Sequence, residues 1–145
     1  MKNPNTDLLL SPYRTLDLTD EKGLLCGRIL ADLGADVIKV ERPGGDSARN
    51  IGPFYHDIPD PEKSLSWFAS NTNKRSITLN IESLDGRDIF KQLVKTADFV
   101  IVSFDPGYME SLGLSYSALS EIRRCHLIIV FFLPSAFLQC TISKL

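Results

Sequence analysis

Hydrophobic residues of this chain either alternate with polar ones or form continuous apolar runs in short segments, and they recur every three to four residues in the segments between them. The short runs predict strands at residues 13–18, 36–40, 76–81, 99–102 and 127–132. The other segments predict helices at residues 20–33, 83–97 and 117–124. Because strands and helices alternate, the pattern predicts an α/β fold, a Rossmann-like three-layer domain with a mostly parallel sheet.

The first helix and the second strand form the most informative stretch. The helix is predicted to begin at a cap formed by Thr19 or Asp20 and to close at Gly34, because glycine most readily adopts the left-handed conformation. Its apolar face is expected to consist of Leu25, Ile29, Leu30 and Leu33. Glu41 and Arg42 follow the second strand, and ligands of open α/β sheets bind beyond the carboxyl ends of strands. We therefore expect this pair of charges to meet a ligand.

A long connection rich in proline, glycine and aspartate occupies residues 43–62. Compact domains rarely contain such a long irregular segment without a reason. We expect it to form a functional surface loop or to pack against a partner, with Trp67 and Phe68 anchoring its end. Further along, Ser83 is predicted to cap the second helix.

Composition restricts the possible functions. The 145 residues, 43% of them hydrophobic, suffice for one domain with a core. A net charge of −2 argues against nucleic-acid binding through a basic face. The most apolar run, residues 127–133, is far shorter than the roughly 20 residues of a membrane-spanning helix, so no membrane association is expected.

The chain contains three cysteines, Cys26, Cys125 and Cys140, and two histidines. They show none of the spacings typical of metal sites, so no metal is expected. An odd number of cysteines suits reduced thiols, and the predicted location is therefore cytoplasmic.

An acidic residue after the second strand also raises a dinucleotide-binding alternative, in which Glu41 would hold a ribose. That site requires a GxGxxG sequence in the first turn, where the backbone approaches the pyrophosphate. Residues 18–24 read LTDEKGL, which is acidic and contains a single glycine. The sequence therefore disfavours an NAD(P) site but leaves it as an alternative.

Several blocks of the sequence together point to one family. The chain reads LDLT at residues 16–19, ADLGADVIKVERP at 31–43, RNIGPF at 49–54, NKRSITL at 73–79, FDPG at 104–107 and LGLSY at 112–116. In this order the blocks closely resemble the family III CoA-transferases of the CaiB/BaiF type. The resemblance covers about residues 13–130.

The resemblance implies a function. Members of this family transfer coenzyme A between carboxylic acids, from a CoA thioester, through an aspartate nucleophile. They form interlocked homodimers whose Rossmann-like large domain holds the CoA nucleotide. The resemblance places Arg42 against the adenine nucleotide and Leu79 and Phe104 along the same groove. Lys22 lies in the first turn near the expected CoA path, and Arg75 is a further candidate that is also expected to pin its loop.

The type of residue at position 42 suits this role, because a guanidinium can stack on a base and form paired hydrogen bonds to phosphate. Two other positions depart from the family pattern. Many members carry asparagine where this chain has Ser103, and some carry a basic residue where it has Ser111. Both differences remove possible CoA contacts.

The resemblance also predicts the organisation of the chain. Residues 1–12 are expected to form a loose N-terminus, residues 13–133 the N-terminal part of the large domain, and residues 134–145 a divergent tail. No aspartate falls where the family places its nucleophile. We therefore expect a truncated form with no catalytic residue, capable at most of CoA binding. The alternative is a non-catalytic interaction domain that uses the apolar segment 127–138 as a docking surface.

Overall fold

A computed structural model describes residues 8–122 and the backbone of residues 126–129. The strands in this part of the chain are β1 (Arg14–Leu18), β2 (Asp36–Glu41), β3 (Arg75–Thr78), β4 (Phe99–Val102) and β5 (His126–Ile129). The helices are α1 (Leu24–Asp32), α2 (Leu65–Asn71), α3 (Leu84–Val94), α4 (Tyr108–Ser111) and α5 (Tyr116–Ile122).

The strands form one parallel sheet in the order β3-β2-β1-β4-β5. The central strand β1 places Leu16 opposite Ile38 of β2 on one side and opposite Val100 of β4 on the other. The chain therefore adds strands outward from β1, first β2 and β3 on one side and then β4 and β5 on the other. The winding direction of the sheet reverses between β1 and β4. The predicted α/β fold with a Rossmann-like parallel sheet is confirmed.

Neighbouring side chains of β2 pack on opposite faces of the sheet. Val37 packs with Ala31 of α1, whereas Ile38 belongs to a larger cluster with Phe90 and Val94 of α3. Successive residues of a strand alternate between faces, so helices cover the sheet on both sides. The larger cluster also includes residues of α5, and the main core lies on that side of the sheet.

Helix α1 turns a different face to the sheet from the one predicted. Leu25, Ile29 and Leu33 are 62%, 51% and 41% exposed, and Leu30 is only partly buried. The buried residues of α1 are Leu24, Gly27 and Ala31. The predicted apolar face is wrong because α1 packs through Leu24, Gly27 and Ala31, and the small side chains at 27 and 31 let the helix approach the sheet closely.

The turn before α1 also differs from the prediction. Gly23 occupies the N-cap position and provides no side-chain hydrogen bond. Thr19 instead donates its hydroxyl to Asp17, and Asp20 accepts a hydrogen bond from the Ser103 hydroxyl at 2.6 Å. The predicted cap at Thr19 or Asp20 is therefore wrong, because both side chains stabilise the turn after β1. The expected left-handed residue after α1 is confirmed at Gly34, whose φ is +101°.

The long connection packs against its own domain. It contains two short 3-10 turns, Ser47–Asn50 and Tyr55–Asp57, and leads into α2, which the sequence pattern did not predict. Trp67 is buried with residues of α1 and of the first of these turns. Phe68 is 49% exposed. The predicted anchor is thus confirmed for Trp67 and wrong for Phe68.

The remaining elements agree with the pattern more closely. Ser83 caps α3, and its hydroxyl accepts the Gly86 N–H at 3.1 Å, as predicted. β3 ends at Thr78, earlier than predicted, and the short helix α4 was not predicted. The expectations for residues 1–7, for residues 134–145 and for the side chains of residues 127–138 lie outside the described part of the chain.

Candidate functional site

A pocket of about 410 Å³ opens beyond the carboxyl ends of the parallel strands. Its walls come from the segments that follow four different strands. Thr19 and Asp20 follow β1, Arg42 follows β2, Leu79 and Glu82 follow β3, and Phe104 follows β4. Open α/β sheets bind their ligands at this edge, so the fold itself marks this pocket as the candidate site.

The structure brings three of the five predicted site residues into this pocket. Arg42, Leu79 and Phe104 come from three different strand ends and line the same space. Leu79 is held there because its N–H donates to the carbonyl of Glu41 at 2.8 Å, which continues the contact between β2 and β3. Arg42 follows directly after β2 and its side chain is exposed to the pocket opening.

The other two predicted residues lie elsewhere. Lys22 does not line the pocket, and its ammonium lies 3.6 Å from the carboxylate of Asp20, which does. Arg75 lies at the amino-terminal edge of the sheet, where it forms two hydrogen bonds with Asp36 at 2.9 Å and 2.7 Å. Because parallel strands place their amino and carboxyl ends at opposite edges, Arg75 is separated from the pocket by the length of β3. We therefore do not include Arg75 in the proposed site.

Two aromatic rings form one wall of the pocket. The rings of Phe104 and Tyr108 lie 4.8 Å apart at an angle of 53°. The Tyr108 hydroxyl donates to Glu82 at 2.8 Å. Burial and the Glu82 carboxylate raise the pKa of Tyr108, whereas the charge of Arg42 lowers it. Arg42 therefore lies close enough for its charge to act on this wall.

Sequence reasoning missed Tyr108 and Glu82. Glu82 follows the end of the predicted third strand, which was a usable signal for a residue at this edge. Tyr108 begins the short helix α4, which the apolar pattern did not predict.

A buried ion pair forms the floor of the pocket. The Lys39 ammonium lies 2.9 Å from Asp46 and also donates to the carbonyl of Thr19. Both charged side chains are almost completely buried. Lys39 thereby joins the turn after β1 to the long connection, and so holds two walls of the pocket together. The sequence signal was a lysine inside an otherwise apolar strand.

Glu41 does not meet the pocket, contrary to the expectation for the Glu41–Arg42 pair. Its carboxylate is buried and accepts two hydrogen bonds from Arg49, at 2.7 Å and 3.0 Å, and one from Ser76 at 2.6 Å. The guanidinium of Arg49 also stacks on the Trp67 ring, 4.2 Å from its centre. Glu41 therefore fastens the long connection to the sheet, and only Arg42 of the predicted pair lines the pocket.

The electrostatic environment of Glu41 strongly favours its ionised form. Burial raises the pKa of Glu41, but the hydrogen bonds from Arg49 and Ser76 outweigh burial and lower the pKa from 4.5 to about 2. A carboxylate with a lowered pKa stabilises the fold at neutral pH.

We expect the protein to lose up to about 3 kcal/mol of stability through Glu41 as the pH falls from about 4.5 to 2. Over this range the unfolded chain takes up the proton before the folded one does, so protonation favours unfolding. Urea midpoints of the wild type and of the Glu41→Gln variant between pH 6 and pH 2.5 would measure this contribution. The difference between the two proteins should shrink steadily as the pH falls.

The pKa of Asp36 is also lowered, so Asp36 contributes to the pH dependence of stability in both proteins. The contribution of Glu41 is therefore measured as the difference in stability between the wild type and Glu41→Gln. Asp88→Asn, at an exposed position of α3, should follow the wild type throughout. A stability difference for Glu41→Gln that stays constant from pH 6 to pH 2.5 would contradict this prediction.

Within residues 8–122 and 126–129, no group of three or more His, Cys, Asp or Glu side chains lies in an arrangement that could hold a metal ion. No helix in the same residues is long and apolar enough to cross a membrane.

The all-parallel sheet and the pocket at its carboxyl edge define a Rossmann-like α/β protein with a candidate ligand site. The sequence profile of CoA-transferase family III matches residues 10–132. Because this match covers most of the chain, the chain belongs to CoA-transferase family III.

Individual relatives agree with this assignment. Over 111 residues the chain is 41% identical to succinyl-CoA:(R)-benzylsuccinate CoA-transferase subunit BbsE of Thauera aromatica, a match that covers 77% of this chain and 27% of that protein. It is 45% identical to succinyl-CoA:mesaconate CoA-transferase of Haloarcula marismortui, over 77% of this chain and 28% of that protein. The matched segment therefore spans about a quarter of the length of these relatives.

Solved structures show the same relationship. A hypothetical protein of Mycobacterium tuberculosis has a TM-score of 0.74 and 35% identity, and the match covers 86% of this chain and 33% of that one. A CaiB/BaiF family protein of Brucella suis has a TM-score of 0.73 at the same identity and coverage.

Proposed function

We propose that the pocket binds the adenine-nucleotide end of a CoA thioester and that the protein acts in the transfer of CoA between carboxylic acids. One observation carries this proposal: Arg42, Leu79 and Phe104, the residues that the family resemblance assigns to the CoA groove, line one pocket at the carboxyl edge of the sheet. Membership of CoA-transferase family III, and the CoA thioesters named in its relatives, support the substrate class.

The chemistry of the pocket suits a nucleotide. The rings of Phe104 and Tyr108 offer an apolar wall for a planar base, and aromatic stacking on a base contributes about 1–3 kcal/mol. Arg42 offers a guanidinium that can stack on the base or form two parallel hydrogen bonds with phosphate oxygens. Leu79 supplies further apolar contact at the end of β3.

The transfer step requires a carboxylate nucleophile placed against the thioester carbonyl. The family resemblance assigns that role to an aspartate, and the part of the proposal that the described residues support is binding of the nucleotide. The carboxylic acid partner, the interlocked homodimer and the cytoplasmic location stay predictions.

Arg42→Ala is expected to weaken CoA binding by about ten- to a hundredfold, since a hydrogen bond to a charged group contributes about 1.5–3 kcal/mol. Isothermal titration of CoA into the purified chain would measure the change. Arg42→Lys should recover only part of the affinity, because lysine keeps the charge but loses the paired donors and the stacking surface.

Arg28→Ala is the matched control. It removes an arginine of α1 that pairs with Asp32 at 3.4 Å and does not line the pocket, so CoA affinity should not change. A cooperative urea transition would first establish that each variant is folded. Equal CoA affinity of the wild type and Arg42→Ala would contradict the proposed site. Saturable binding of NAD⁺ with no binding of CoA would instead support the dinucleotide alternative.

A further inference from the structure

The turn after β1 begins at Thr19 and is held by buried side chains from three neighbouring strands or strand ends. Asp17 of β1 accepts both the N–H and the hydroxyl of Thr19, at 2.9 Å and 2.6 Å. Lys39 of β2 donates to the carbonyl of Thr19. The hydroxyl of Ser103, directly after β4, accepts the N–H of Asp20 at 2.7 Å. Every polar group of Thr19, and the N–H that follows it, therefore has a partner inside the fold.

The peptide group between Thr19 and Asp20 is thereby fixed at both of its ends. Lys39 binds its carbonyl from the β2 side of β1, and Ser103 binds its N–H from the β4 side. Thr19 and Asp20 both line the pocket. Thr19, Lys39 and Ser103 are at most 3% exposed, so water does not compete for these hydrogen bonds. A buried carbonyl without a donor is unfavourable, so the orientation of this peptide group depends on Lys39.

Lys39 makes a second contact that has a different role. Its ammonium lies 2.9 Å from the carboxylate of Asp46 in the long connection. This pair keeps either charge from being isolated in the interior, and so it contributes to stability. The contact with Thr19 instead fixes the backbone of a pocket wall. Substitution can separate the two contacts because they involve different acceptors.

We infer that Lys39 is a positioning residue for the ligand: through the carbonyl of Thr19 it presets the turn after β1 in the conformation that binds the nucleotide. The inference rests on the nucleotide-binding function proposed above. A turn that is ordered before binding spares the ligand the cost of ordering it. In this role Lys39 acts through the turn rather than through a contact of its own with the ligand. Affinity should therefore follow the Lys39–Thr19 contact, whereas stability should follow the Lys39–Asp46 pair.

The test is calorimetric titration of CoA, together with urea denaturation, for three variants. Lys39→Met removes both contacts, so it should weaken CoA binding about five- to twentyfold and also lower the urea midpoint. Asp46→Asn removes the counter-charge but leaves the lysine amine beside the Thr19 carbonyl. It should therefore lower the urea midpoint while weakening CoA binding by less than about threefold.

The double variant Lys39→Met/Asp46→Asn separates positioning from stability. It leaves no isolated charge in the interior, so its urea midpoint should lie above that of Lys39→Met. It still lacks the donor to Thr19, so its CoA affinity should stay as low as that of Lys39→Met. The same variant serves as the test of affinity if Lys39→Met does not fold.

Amide hydrogen exchange measured by NMR gives a local readout of the turn. In the wild type without ligand, the N–H groups of Thr19 and Asp20 should exchange slowly because both are hydrogen-bonded. In the double variant these two amides should exchange about tenfold faster or more, whereas the amides of β1 keep their protection. CoA should slow the exchange again, because the ligand then orders the turn.

Val94→Ala is the matched control for stability alone. Val94 is fully buried in the core on the other side of the sheet and does not line the pocket. The substitution leaves a cavity, so the urea midpoint should fall, whereas the CoA affinity of the folded protein should not change.

Two results would overturn the inference and leave the proposed function standing, provided that CoA binding still depends on Arg42. In the first, the folded Lys39→Met protein or the double variant binds CoA as tightly as the wild type. In the second, affinity falls as far in Asp46→Asn as in Lys39→Met, or recovers together with stability in the double variant. If the folded wild type binds no CoA, both proposals fail together.

Discussion

Replacement of Lys74 by methionine is expected to destabilise the protein by about 3–5 kcal/mol, because it leaves a buried carboxylate without its counter-charge. Lys74 donates to Asp17 at 2.8 Å, and both side chains are almost fully buried. Burial lowers the pKa of Lys74, whereas the charge of Asp17 raises it. Methionine has a similar length and packs well in a core, so the loss reports on the charge rather than on a cavity.

The effect should reach the pocket as well. The Lys74 ammonium also donates to the carbonyl of Leu24 and to the side chain of Asn71, at 2.9 Å and 3.0 Å. It therefore connects β1, α1 and α2. The other oxygen of Asp17 accepts the N–H and the hydroxyl of Thr19, which lines the pocket. Loss of Lys74 should thus weaken the proposed nucleotide binding in addition to lowering the free energy of unfolding.

Urea denaturation of the variants of a double-mutant cycle would measure the interaction energy between Asp17 and Lys74. Asp17→Asn combined with Lys74→Met leaves no isolated buried charge and keeps an acceptor for Thr19, so it should be more stable than Lys74→Met alone. Lys95→Met, at an exposed position, should change stability by less than about 0.5 kcal/mol. A loss below 1 kcal/mol for Lys74→Met would show that the buried pair is dispensable.

Gly27→Ala is expected to destabilise the protein by about 3 kcal/mol, although alanine is the better helix former by about 1 kcal/mol. A Cβ atom at this position of α1 would lie 2.1 Å from a carboxylate oxygen of Asp17 and 3.1 Å from the side chain of Lys74. The pair is buried and fixed by several hydrogen bonds, so neither side chain can move away without breaking them. Either the pair separates or α1 moves away from the sheet.

The sign of this change makes the measurement decisive. Helix propensity alone predicts that Gly27→Ala stabilises the protein, whereas the close approach of α1 to β1 predicts a large loss. The neighbouring variant Arg28→Ala, whose side chain is partly exposed, should change the urea midpoint little. An unchanged or raised midpoint for Gly27→Ala would mean that α1 does not approach Asp17 as closely as described.

Part of the candidate site was accessible from sequence. Arg42 was predicted from its position after the second strand, and Leu79 and Phe104 were predicted from the family resemblance. In the structure each of the three follows a strand, and the parallel sheet places them at one edge, where the pocket forms. Tyr108 was missed because the helix that positions it has four residues, too few to show an apolar period. Arg75 was predicted from the resemblance but lies at the opposite edge, where Asp36 binds it.

The charged residues of β2 show most clearly what a local sequence pattern cannot predict. Glu41 was expected to meet a ligand, and the strand pattern predicted no partner for Lys39. In the fold they point to the α1 side of the sheet, where Asp46 and Arg49 of the long connection neutralise them. A charge inside a strand pattern thus indicated a buried partner from a distant segment rather than solvent.

The sequence by itself determined the succession of the five strands and of three of the helices, the mostly parallel α/β class and the edge of the sheet at which a ligand is expected. These features follow from short-range periodicity and from the regular geometry of β-α-β connections. Only the tertiary structure decided which face of α1 is buried and which charges pair in the interior. Both depend on contacts between distant residues, such as Asp17 and Lys74, which are 57 positions apart, and the energy of a buried charge depends on the partner that the fold brings to it.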